Sequence, residues 1–181
     1  MAEAIQKNQL LLWAVGPWQD SHLSELLHAL SERGCESHDL RISQLQEGFA
    51  AQMVVGGNWS AVGKLETALP SIAEKLGVEM GAIRIPPRVP RADQRPFAVE
   101  LTAPQQPDLF PALVGFFAHQ GVSVIEAVCQ PYEAHLSTAP MVNMQVVLMV
   151  PTTAQPPALR EAFMDFCDDY HADGIFDPIK S

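Results

Sequence analysis

A chain of 181 residues with 48% hydrophobic and 18% charged side chains can bury one medium core or two small ones, which separates it from disordered polypeptides. Its net charge of -10 opposes non-specific attraction to nucleic acid or to an anionic membrane, since both are polyanions. No apolar run approaches the roughly 20 residues of a spanning helix, and Met1–Gln9 does not lead from basic residues into an apolar stretch, so neither a membrane span nor a secretion signal is expected.

In chain order, Leu10 to Val15 is dense enough in apolar residues to be a buried strand. The run breaks at Gly16-Pro17, passes Trp18 and the polar Gln19-Asp20-Ser21, and becomes helical, with Leu23, Leu26, Leu27 and Leu30 on one face. Ser21 is the expected N-cap, with Asp20 as its rival. Such a corner turns free N–H groups and the positive helix end to solvent, which suits a small anion or carboxylate. Gly34 stops the helix. Ser37–Leu45 and Phe49–Val55 alternate apolar and polar residues around a Glu47-Gly48 turn, the pattern of a hairpin. Val62, Leu65, Leu69, Ile72 and Leu76 predict a second helix, capped by Ser60 and kinked or divided at Pro70. Val78 to Ile85 is a fourth strand. Residues 1–85 therefore read as a βαββαβ domain, the ferredoxin-like arrangement.

Residues 86–96, PPRVPRADQRP, read as a stiff linker. Together with Arg84, its arginines Arg88, Arg91 and Arg95 form either a solvated spacer or a docking strip for an acidic surface. The pattern restarts over 97–181. Phe97–Thr102 is a strand, Ala103–Pro107 a loop, and Asp108 the cap of a helix bearing Leu109, Leu113, Phe116 and Phe117. Val122–Gln130 is a strand, followed by a long hairpin loop from Pro131 to Pro140. Val142, Met144, Val146 and Leu148 alternate along the return strand. Leu159, Ala162, Phe163, Phe166 and Tyr170 line a helix before a short strand, Ile175–Ile179. The halves superpose at a shift of about 87 residues, which brings Leu26 onto Leu113, Leu30 onto Phe117 and Gly34 onto Gly121. Two copies of one small domain explain this.

Tandem βαββαβ units with a ligand-sized corner look like paired ACT domains. The Gly34-Cys35 opening, the strand with Asp39 and Arg41, the Glu47-Gly48 turn and the helix entry Gly57-x-Trp59-x-Ala61 ending at Glu66 resemble the glycine cleavage system transcriptional repressor family. The resemblance implies a non-enzymatic regulator that senses an amino acid, glycine or serine foremost, and contacts a transcriptional activator. It also implies that the ligand loop is Gly16, Pro17, Trp18, Gln19, Asp20 and Ser21. This loop departs from the usual Gly-x-Asp-Arg-Pro-Gly form: the Asp is displaced, and the Arg, Pro and second Gly are absent.

Asp20 is placed either to receive an α-ammonium, with N–H groups of Ser21 and His22 on the carboxylate, or simply to cap the helix. His22 is a ligand contact or a surface histidine. His38 is a contact from the second strand, or from a neighbouring domain, or else solvated. His28, His119, His135 and His171 are isolated, as are Cys35, Cys129 and Cys167, which read as buried reduced thiols suited to the cytoplasm. Asp165, Asp168, Asp169 and Asp173 read as a solvated acidic face rather than metal ligands. No nucleophile, phosphate or dinucleotide motif occurs, and no basic recognition helix. The expectation is an α+β pair of ACT-like domains with no catalysis, cofactor or metal and no direct nucleic-acid or membrane contact. Exposed edges and leftover apolar faces would be covered by pairing of the units or in a homodimer. A detached regulatory subunit of an amino-acid enzyme, or a structural pairing module without ligand, are the alternatives.

Overall fold

A computed structural model describes residues 8–17, 19–87, 92–133 and 140–179. The chain divides into two compact units between Val89 and Pro90. The first runs β1 (Gln9–Pro17), α1 (His22–Ser31), β2 (Glu36–Leu45), β3 (Gly48–Gly56), α2 (Trp59–Leu76) and β4 (Glu79–Ile85). The second repeats the order as β5 (Gln94–Pro104), α3 (Leu109–His119), β6 (Ser123–Tyr132), β7 (Met141–Pro151), α4 (Pro156–Asp169) and β8 (Asp173–Pro178). The sheets are ordered β2-β3-β1-β4 and β6-β7-β5-β8, with antiparallel neighbours throughout. This is the α+β, ferredoxin-like arrangement, twice.

Strand pleating decides which face each helix pair covers. Leu10, Leu12 and Ala14 of β1 are fully buried beneath α1 and α2, whereas Trp13 and Val15 lie on the open face. In the second unit Val99, Leu101 and Ala103 play the buried part. The two cores differ in kind. The first is aliphatic around Phe49 and Met53, while the second holds a cluster of phenylalanines: Phe97, Phe117, Phe163, Phe166 and Phe176. Both first helices end identically. Gly34 and Gly121 take φ of +73° and +69°, and the next residue's N–H returns to Leu30 or Phe117, which satisfies a carbonyl of the last turn.

Several local expectations are corrected. α2 is one helix through Pro70, because the buried stripe Val62-Leu65-Leu69-Ile72-Leu76 stays in phase on both sides of an exposed proline. Its cap is Asn58, not Ser60: the Asn58 side chain accepts from the Ala61 N–H at 2.8 Å. Replacing Asn58 by Ala is expected to cost about 1 kcal/mol of stability in urea unfolding, the usual loss when a cap is removed. β2 reads in sequence as half-buried, yet all its residues are exposed. It is the edge strand of its sheet, and even Leu40 and Ile42, in register with buried Met53 and Ala51, remain open. β5 starts at Gln94, inside the stretch read as linker. Arg84 lies in β4 and is held by Glu66 through two hydrogen bonds, at 3.0 and 2.6 Å, while it stacks on the Trp59 ring. It does not belong to a free basic strip, and Arg88 and Arg91 lie outside the described residues. Cys35 and Cys167 are buried, but Cys129 is exposed on β6. Burial pushes the Cys167 thiol up to about 11, with Asp168 and Asp173 adding to the effect.

Candidate functional site

The corner between β1 and α1 is built by close approach. Gly16 pairs with Phe49 across β1 and β3, and a Cβ at Gly16 would lie 2.7 Å from Val78 Cγ1 and 3.1 Å from its Cα. Only glycine lets the end of β1 sit this tightly against the residue ahead of β4. The chain then turns: the His22 N–H donates to the Gln19 carbonyl at 3.1 Å, and the Glu25 N–H to the Ser21 carbonyl at 2.9 Å. Gln19, Asp20 and Ser21 are exposed around the turn, and Trp18 lies outside the described residues. Ser21 occupies the N-cap position with helical φ and ψ, and its side chain makes no capping bond. The expected hydroxyl cap is therefore absent.

The turn also sets the phase of α1. Its buried stripe is His22, Leu26 and Leu30, one step around the helix from the Leu23-Leu26-Leu27-Leu30 face that periodicity predicts. His22 is accordingly buried, at 3% exposure, and not a surface histidine. Its ring meets Phe49 edge-on at 6.1 Å. Among the described residues its Nδ1 is buried and has no hydrogen-bond partner. A buried polar atom without a partner costs roughly 1–3 kcal/mol, so its retention calls for an explanation.

The second unit shows how the same corner looks without that atom. The Leu109 N–H donates to Gln106 O at 3.3 Å and the Ala112 N–H to Asp108 O at 2.9 Å, the same two bonds 87 residues on. Leu109, fully buried, stands where His22 does. This corner is cross-tied: Gln106 Nε2 donates to the Tyr170 carbonyl at 3.4 Å, and the Tyr170 hydroxyl approaches Asp108 Oδ2 at 3.5 Å. Desolvation, then the Asp108 charge, raises the Tyr170 hydroxyl above its ordinary pKa. The expected Asp108 side-chain cap does not form either.

The other predicted contact, His38, sits at a bulge between Ser37 and Asp39, opposite Val54 and Val55. Phe49, at the corner, lies five to six residues away along β3, about 17–20 Å at strand rise. The structure thus brings Gly16, Gln19, Asp20, Ser21 and His22 together and leaves His38 at the far end of its own sheet. Sequence reasoning missed Phe49 and Val78 as walls of the corner. The repeat held the signal for His22, since its aligned partner is an apolar core residue. Asp165, Asp168, Asp169 and Asp173 are exposed. Among the described residues no cluster of three or more histidines, cysteines or carboxylates is arranged to hold a metal, and no helix is long and apolar enough to cross a membrane.

Comparison with known proteins agrees with this geometry. Residues 8–82 match the ACT domain. Over 178 residues the chain is 22% identical to the glycine cleavage system transcriptional repressor of Escherichia coli K12, covering 96% of this chain and 92% of that protein. The fold is similar to the crystal structure of an unknown protein from Galdieria sulphuraria, with TM-score 0.76, 16% identity, and coverage of 96% and 99% of the two chains. It is also similar to a crystal structure provisionally assigned the same repressor name, with TM-score 0.73, 20% identity, and coverage of 96% and 98%.

Proposed function

We propose, from the premise that residues 8–82 are an ACT domain within a two-unit chain similar to glycine cleavage system transcriptional repressors, that this protein is a non-enzymatic regulator responsive to an amino acid. It acts in the cytoplasm by contact with a transcriptional activator and does not read DNA itself. The observation that carries the reading is the full-length likeness to the repressor, which spans both units and not the ACT domain alone. The acidic balance of the chain supports a protein partner over a polyanion.

In this reading Gly16, Pro17, Trp18, Gln19, Asp20 and Ser21 form the loop that seats a small amino acid, glycine or serine first, and His22 lies beneath it. His38 serves a corner supplied by a second copy of the chain, and the exposed β2 edge is covered in a homodimer. Ligand alters activator contact only by binding one packing of the domains better than another.

The test is a thermal-shift screen of the common amino acids. A true ligand at a hundred times its dissociation constant should add about 2.7 kcal/mol of stability. Absence of a shift with every amino acid would remove the sensing role, and retardation of bare DNA by the purified chain would remove the activator-contact mechanism. Co-purification with a metabolic enzyme, and not with an activator, would make the chain a regulatory subunit instead.

A further inference from the structure

The second unit holds a cavity of about 880 Å³ at the opposite end of β5 from its own corner, between the start of α4, the start of β5 and the end of β8. Leu159, Phe163, Phe166 and Cys167 of α4 are buried in the core, whereas Pro157, Arg160, Glu161 and the half-buried Met164 line the cavity beside β8, which ends at Pro178. Phe97 forms the floor, stacked on Phe176 at 4.8 Å. Pro96, Pro156, Pro178 and Ile179 complete an apolar wall.

This lining restricts what can bind. The prolines have no N–H to offer, and the Ile179 N–H is already given to the Pro96 carbonyl at 3.0 Å. Polar recognition falls to the two arginines and to Glu161, whose carboxylate also lines the cavity. Arg160 is fixed, donating to the Phe176 carbonyl at 2.6 Å and to Asp177 at 2.8 Å. Arg95 is exposed at the mouth, and among the described residues its guanidinium has no ion pair or hydrogen-bond partner. An unpaired guanidinium beside an apolar hollow, in a chain of net charge -10, complements an anion carrying an apolar body. The open edge of β8 is a poor seat for an added peptide strand, because Arg160 already takes the Phe176 carbonyl that such a strand would need.

We propose that this cavity is a second ligand site, for a small free acid with an apolar body and one carboxylate. The body lies on Phe97 and Met164, and the carboxylate meets Arg95. The site is independent of the amino-acid corner in the first unit and stands whether or not that corner binds.

The probe is 4-phenylbutyrate added to the full chain labelled at methionine and isoleucine methyl groups, with 4-phenylbutan-1-ol as the uncharged control. The Met164 and Ile179 methyl resonances are expected to move with the acid, and the alcohol to bind at least tenfold more weakly. Arg95→Gln should weaken the acid about tenfold, and Ile179→Glu, another exposed change that sets a like charge at the mouth, should do the same. Equal affinity for the alcohol, no effect of either variant, or unmoved Met164 and Ile179 signals would overturn the proposal. Tighter binding of the acetylated peptide Glu-Phe-Leu amide than of the free acid would overturn it in favour of a protein segment.

Discussion

Phe163→Ala is expected to destabilise the second unit by about 3–5 kcal/mol, the range for emptying a buried aromatic site. Phe163 has no exposed surface and its ring is a hub, 5.9 Å from Phe117, 6.1 Å from Phe176, 6.4 Å from Phe116 and 6.5 Å from Phe166. Below it the chain approaches so closely that a Cβ on Gly174 would come within 2.8 Å of the ring. Interlocked rings cannot collapse into the vacated space without losing their own contacts. The measurement has a built-in separation, because Trp13, Trp18 and Trp59 all lie in the first half of the chain. Circular dichroism should show part of the helix signal lost at lower urea, while the tryptophan fluorescence transition keeps its midpoint. Equal displacement of both signals would mean that the halves unfold as one.

The second large effect runs the other way. His22→Leu is expected to raise stability by about 1–2 kcal/mol, because it removes a buried Nδ1 that has no partner among the described residues. Leucine suits the position, since Leu109 fills it in the repeat with no exposed surface. If the imidazole is kept for the ligand, the variant should also lose the amino-acid thermal shift expected of the parent. A stabilised protein that senses nothing is the expected signature of a polar group retained for function. Loss of stability instead would show that Nδ1 is satisfied in solution, and an undiminished ligand shift would show that His22 is only a core residue.

Much of the architecture was legible because it rests on short-range pattern. Alternation along Val142, Met144, Val146 and Leu148 gave β7, whose inner residues are buried together with Val150. The spacing of Leu109, Leu113 and Phe117 gave the buried stripe of α3. The glycines aligned by the repeat turned out to be the two left-handed helix ends. Where pattern failed, something non-local had decided the outcome. Leu40 and Ile42 alternate as a half-buried strand should, but their exposure follows from a place at the sheet edge, which no local period encodes. Ser60 looked like a cap and Asn58 was one, because helix entry is set by where β3 ends.

The candidate site divides the same way. Residues at the β1–α1 corner could be picked out from a strand that breaks at Gly16-Pro17 and a polar run that opens a helix, and the doubling of the pattern gave two such corners. Their character could not be read so. One hydrogen-bonded turn at Gln19 rotated α1 enough to bury His22 in place of Leu23, and the distance along β3 put His38 out of reach. Sequence by itself determined the repeated βαββαβ order, because hydrophobic period and glycine stops act within a few residues. Tertiary structure alone decided which polar atom is shut away from water and where a cavity opens under α4, because both depend on how elements distant in the chain come to lie against one another.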